Sequence, residues 1–145
     1  MRARAARELL APPEDVWAFL AQPERLADWW PGVAGIRPDR KGMAAGARWQ
    51  VAGDDRPSLY RRPGTTTTLL VTSADPLQRF GFRLTDARLA VELTLEPRAG
   101  RRTLAALTVQ GPFLIGPRRS LAQRALKRLY DLCQTSDFLA PGEKI

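Results

Sequence analysis

The sequence predicts an α+β domain: a curved six- or seven-stranded antiparallel sheet wrapped on one long C-terminal helix, with two short helices after the first strand. Three observations predict it. Hydrophobicity alternates with a period of two from Val33 to Gln110, as half-buried strands require. After Gly116-Pro117 it recurs every three or four residues, as an amphipathic helix requires. Between them in kind, two proline-opened segments with acidic first turns occupy residues 12–31.

Residues 2–10 form the first strand, with Ala3, Ala5 and Arg7 on one side. Pro12-Pro13 ends it and opens a helix over Pro13–Ala21, where Glu14 and Asp15 complement the helix dipole. Val16, Trp17, Phe19 and Leu20 supply its apolar spacing. Pro23 opens a second short helix, with Leu26, Trp29 and Trp30 as its apolar face, and Pro31-Gly32 stops it. Six strands follow: Val33–Pro38, Ala47–Gly53, Thr66–Ser73, Arg79–Thr85, Leu89–Glu96 and Thr103–Gln110. The clearest alternates Leu89, Val91, Leu93 and Leu95 with Ala90, Glu92, Thr94 and Glu96, one side apolar and one wet. Turns fall at Asp75-Pro76, Thr85-Asp86 and Pro97–Arg102, and such short connections favour a meander. The last helix carries Leu121, Ala125, Leu129 and Leu132, flanked by Ala122, Leu126 and Cys133. At about twenty residues it would be about 30 Å long. Residues 137–145 read as a C-terminal tail to a single domain spanning 1–136.

A sheet with one wet face must bury the other, and the long helix has the length and amphipathicity to cover it. A strongly curved sheet held against a single helix leaves space between them, which is a natural ligand cavity.

Composition narrows the chemistry. The 145 residues include no histidine, which excludes a Ser-His-Asp triad, an imidazole base and a His-ligated metal within this chain. One cysteine excludes an internal disulfide and every multi-cysteine motif. No metal-ligand spacing and no phosphate-binding glycine loop is visible, so no metal and no cofactor is expected. The net charge is +8, but 20 of the 23 basic residues are Arg and they are scattered, which reads as the codon bias of a GC-rich genome. Nucleic-acid binding is therefore not expected. No stretch suits a signal peptide or a membrane span, so a soluble cytoplasmic protein is expected, with weak contact to an anionic membrane as a lesser role for the basic helix face.

The run Ala11-Pro12-Pro13-Glu14-Asp15-Val16-Trp17, then Leu20, Pro23-Glu24-Arg25-Leu26 and Trp29-Trp30-Pro31-Gly32-Val33, resembles the opening of the START-like (SRPBCC) superfamily, the polyketide cyclase/dehydrase and lipid transport group. Pro76-Leu77-Gln78-Arg79-Phe80-Gly81-Phe82 resembles its mid-sheet segment, and Glu96-Pro97, Gly100 and Thr103 resemble its last hairpin. The resemblance covers about residues 3–136. It implies a helix-grip fold with a deep, mostly apolar cavity. It implies binding of lipids, polyketides, hormones or aromatic compounds, cyclase or aromatase activity, or a co-regulator role, and fold does not choose among these.

Candidate cavity residues follow from the inward positions. They are Trp49, Val51, Phe80, Phe82, Leu89, Val91, Leu93 and Leu95 on the sheet, and Leu121, Ala125, Leu129 and Leu132 on the helix. Trp29 and Trp30 either wall the cavity mouth or pack the short helix on the sheet. Tyr60 is the candidate for an orienting or proton-transferring hydroxyl. Parity places Arg48 and Arg83 on the wet face. Cys133 reads as a small buried hydrophobe rather than a nucleophile. The expected function is binding of a small hydrophobic or aromatic molecule. The alternative is a cyclase or aromatase using the same cavity, and the third reading is a protein-interaction co-regulator.

Overall fold

The computed structural model describes residues 2–53, 66–85, 88–111 and 118–134. Seven strands form one antiparallel sheet: β1 (Arg2–Leu9), β2 (Val33–Arg37), β3 (Arg48–Gly53), β4 (Thr66–Asp75), β5 (Arg79–Leu84), β6 (Leu89–Arg98) and β7 (Arg102–Gln110). Among the described residues three α-helices accompany it: α1 (Pro13–Leu20), α2 (Leu26–Trp29, entered through a 3-10 turn over Pro23–Arg25) and α3 (Arg118–Cys133). Strands β2 to β7 run as a meander. β1 pairs with the far side of β7, giving the order β1-β7-β6-β5-β4-β3-β2. The helix α3 lies against β1 and β7 and touches α2. This is the helix-grip architecture that the element order predicts.

Register sets the inner face. Ala3 lies opposite Val109, Ala5 opposite Leu107 and Leu9 opposite Thr103. In turn Val109, Leu107 and Ala105 face Val91, Leu93 and Leu95, and Val91 and Leu93 face Phe82 and Phe80. The alternation survives an irregularity in β4, where the register with β5 shifts between Val71 and Ser73. Thr72 and Ser73 both fall on the outer side, so Val71 and Ala74 both face inward. Such a bulge bends a strand and increases its twist.

Several boundaries differ from the sequence expectation by one residue and three by more; β4 runs on to Asp75 instead of stopping at Ser73. β6 continues through Pro97 to Arg98 instead of stopping at Glu96. The Leu95 N–H donates toward Gln78, and Pro97, two residues on, lacks an N–H on that same side, where β5 has already ended. No ladder bond is lost there, so proline is tolerated. The described helix α3 has 16 residues, about 24 Å at 1.5 Å per residue rather than about 30 Å.

Candidate functional site

Adjacent residues in a helix cannot both face a sheet, yet Trp29 and Trp30 are 1% and 2% exposed. The backbone explains this. Trp29 is the last residue of α2, and Trp30 turns to an extended conformation (φ −90°, ψ 120°). Their rings meet edge to face at 6.0 Å between centroids. Trp30 meets Phe82 of β5 in the same way at 5.3 Å, and Trp29 does so at 6.4 Å. Phe82 lies 5.4 Å from Phe80, and Phe80 stacks on Trp49 of β3 at 6.0 Å. A continuous aromatic belt thus joins α2 to β5 and β3, with edge contacts suited to the ring quadrupoles.

A loop before β3 orients one end of the belt. The Trp49 indole Nε1 donates to the Gly42 carbonyl at 2.9 Å. Asp39 holds that loop: its carboxylate accepts from the backbone N–H groups of Arg48 at 2.9 Å, Lys41 at 3.0 Å and Gly42 at 3.2 Å. The Arg48 N–H above all, helped by Gly42 and Lys41 and opposed by partial desolvation, holds the Asp39 carboxyl below the usual carboxylate range. Sequence reasoning missed Asp39, although an aspartate three residues before a glycine is a turn signal.

Beside the belt the inner face is aliphatic. Val51, Leu89, Val91, Leu93 and Leu95 are all buried, as is Leu84, which alternates with Phe80 and Phe82; so are Leu69, Val71, Leu107 and Val109, which sequence reasoning did not single out. The alternation of Thr103, Ala105, Leu107 and Val109 carried that signal for β7, whereas the bulge obscured it in β4. On α3 the buried stripe is rotated from the expected one. Ala125 and Leu129 are buried as expected, but Ala122 and Leu126 are fully buried while Leu121 and Leu132 are half-buried. Spacing of 122, 125, 126, 129 and 133 fits one helix face better than 121, 125, 129 and 132. Small residues on both sides, Ala122 and Ala125 on α3 and Ala3, Ala5 and Ala105 on the strands, let the helix approach β1 and β7 closely.

Polar groups on this face are few. Thr103 Oγ1 is buried and donates to the Ala11 carbonyl at 2.8 Å, tying β7 to the joint between β1 and α1. Thr67 sits opposite Val51, and its Oγ1 is buried with no hydrogen-bond partner. Burial pushes the Cys133 thiol up to about 12, with the Asp15 carboxylate adding in the same direction, so the sulfur stays protonated at neutral pH. Arg48 and Arg83 are exposed, on the outer face. Tyr60 lies outside the described residues. No helix among the described residues is long and apolar enough to cross a membrane.

An apolar sheet gripped by one helix recurs in many solved structures. The family model for polyketide cyclase/dehydrase and lipid transport matches residues 1–134. The chain belongs to this family. No curated protein matches the sequence. Solved structures of the same fold include an uncharacterised protein from Bacillus thuringiensis, with 13% identity, a TM-score of 0.72, and coverage of 93% of this chain and 100% of that one. An AHSA1-like protein from Aeromonas hydrophila is 19% identical at a TM-score of 0.71, with 95% of each chain covered. DynU16, a protein of the dynemicin biosynthetic locus, is 21% identical at a TM-score of 0.68. The match covers 93% of this chain and 48% of DynU16, so this polyketide cyclase/dehydrase family member spans about half of that protein. At these identities the likeness establishes the fold of the family member and not its ligand.

Proposed function

We propose that this protein binds one small hydrophobic or aromatic molecule between the inner face of the sheet and α3. The observation that carries the reading is the composition of that face. Its buried side chains among the described residues are aromatic or aliphatic apart from Thr103, which is already hydrogen-bonded, and the half-buried Thr67, whose Oγ1 is buried without a partner. Apolar surface removed from water would supply the driving force, about 25 cal/mol per Å² before the costs of association. The aromatic belt offers ring edges and faces to a planar ligand, and the Thr67 hydroxyl offers one polar contact. The family description, which couples polyketide cyclisation with lipid transport, supports the same class of ligand.

Native mass spectrometry of freshly purified protein, followed by solvent extraction, tests this. A discrete hydrophobic adduct is expected, together with saturable enhancement of 1-aminoanthracene fluorescence. Phe82→Glu should abolish both while retaining the far-UV circular dichroism of the parent. If that variant unfolds, Thr67→Val provides a mild alternative: it should weaken hydroxyl-bearing probes and spare their deoxy analogues. A bare protein that binds neither 1-aminoanthracene, fatty acids nor polyketide-like aromatics overturns the reading.

A further inference from the structure

A second feature lies outside the proposed ligand space. A groove of about 480 Å³ runs between β1 and α3. Ala5 and Ala6 of β1 line it together with Arg4, Arg7, Arg124 and Lys127, and no carboxylate is among its lining residues. Arg4 and Arg124 have no carboxylate partner among the described residues, Arg7 rests 4.9 Å over the Tyr130 ring, and Lys127 reaches Asp131 at 3.2 Å. Glu8, the carboxylate of β1 itself, is taken by Arg102 at 2.8 Å.

The strand beneath this charge is a sheet edge. β1 has β7 as its one neighbour, and no backbone hydrogen bond leaves its other side among the described residues. An open edge is a template for one more strand.

We propose that this groove docks an extended acidic segment of another protein, added as a strand on β1 with its carboxylates on Arg4, Arg7, Arg124 and Lys127. The charge selects this occupant. A second copy of β1 would add three more arginines, Arg2, Arg4 and Arg7, to a groove that is already positive, against the one carboxylate of Glu8. A flat bilayer reaches the rim cations but makes no use of the recessed strand edge. A nucleic-acid strand supplies phosphates but no peptide backbone to pair with β1.

Fluorescence anisotropy with a fluorescein-labelled peptide of Glu-Glu-Val repeats, which carries carboxylates on both faces of a strand as Arg4 and Arg7 require, added to the intact protein, decides the matter. Saturable binding is expected. Arg4→Glu and Arg124→Glu should each weaken it by about tenfold, whereas Arg83→Glu, the same charge change on the outer face of β5, should change it by less than about twofold. N-methylation of alternate peptide amides should weaken it by about fivefold, because the added methyls block strand pairing. Three results overturn the proposal: no saturable binding, equal loss in the Arg83→Glu control, or full affinity of the N-methylated peptide. Displacement of the peptide by oligothymidine or phosphatidylserine vesicles at lower concentration also overturns it, in favour of a nucleic-acid or membrane surface. Thermal melting of each variant separates lost binding from lost fold.

Discussion

At the scale of single residues, two polar groups hold the apolar framework in place. Thr103 Oγ1 satisfies the Ala11 carbonyl where water cannot reach it. Thr103→Val keeps the shape and removes the donor, so the carbonyl loses its partner; the expected loss is about 1–3 kcal/mol in urea unfolding. Asp39 acts at the surface, through three backbone N–H groups. Its pKa is lower in the folded protein than in the unfolded chain, so its contribution is present above the ordinary carboxylate range and is lost as pH falls through the folded-state value. Asp39→Asn should lower stability at neutral pH and converge with the parent at low pH, which flattens the acid limb of the stability–pH curve. Thermal melting from pH 7 to pH 2 reads the difference.

At the scale of elements, turns and bulges carry the strain. The β4–β5 hairpin closes with the Gln78 N–H donating to the Asp75 carbonyl, and its third residue, Leu77, has φ +66°. Glycine suits that left-handed position, and Leu77 is 40% exposed, so its side chain returns little packing. Leu77→Gly should raise stability by about 0.5–1 kcal/mol, measured by the urea midpoint at unchanged slope. In the bulge next to it, a Cβ at Gly81 would lie 2.6 Å from Ser73 Oγ and 2.8 Å from Thr72 Oγ1. Glycine at 81 therefore makes room for two outer side chains that the bulge brings to one side. Gly81→Val should cost about 1–3 kcal/mol, partly recovered in a Thr72→Ala/Ser73→Ala background, because trimming those side chains removes the clash.

At the scale of the molecule, the closing step joins the two ends of the chain. β1 pairs with β7 along eight residues, from Arg2 opposite Gln110 to Leu9 opposite Thr103, and α3 packs on the pair so formed. The loop between those strands must be closed before their contacts are made, which slows folding. Refolding followed by tryptophan fluorescence in a stopped-flow instrument should fall on the order of milliseconds to seconds. The belt of Trp29, Trp30 and Trp49 should report the docking of α2 on β5, since Trp29 and Trp30 meet Phe82 only when that contact is made.

What the sequence determined by itself is what local periodicity encodes. The alternation in β5 and β6, the two proline-opened helices and the amphipathic α3 specify element types, order and inner face, because burial acts on every second strand residue and on one helix stripe. Family resemblance was legible for the same reason, in short local motifs. Tertiary structure decided the rest. That both Trp29 and Trp30 face inward depends on a backbone change at the end of α2 that side-chain spacing does not show. The rotation of the buried stripe on α3 depends on which small side chains allow close approach to β1 and β7. The outward doubling of Thr72 and Ser73 depends on a register shift against β5. The basic groove exists only because β1 and α3, more than a hundred residues apart in sequence, lie side by side. Each of these is a relation between distant segments, and no local pattern carries it.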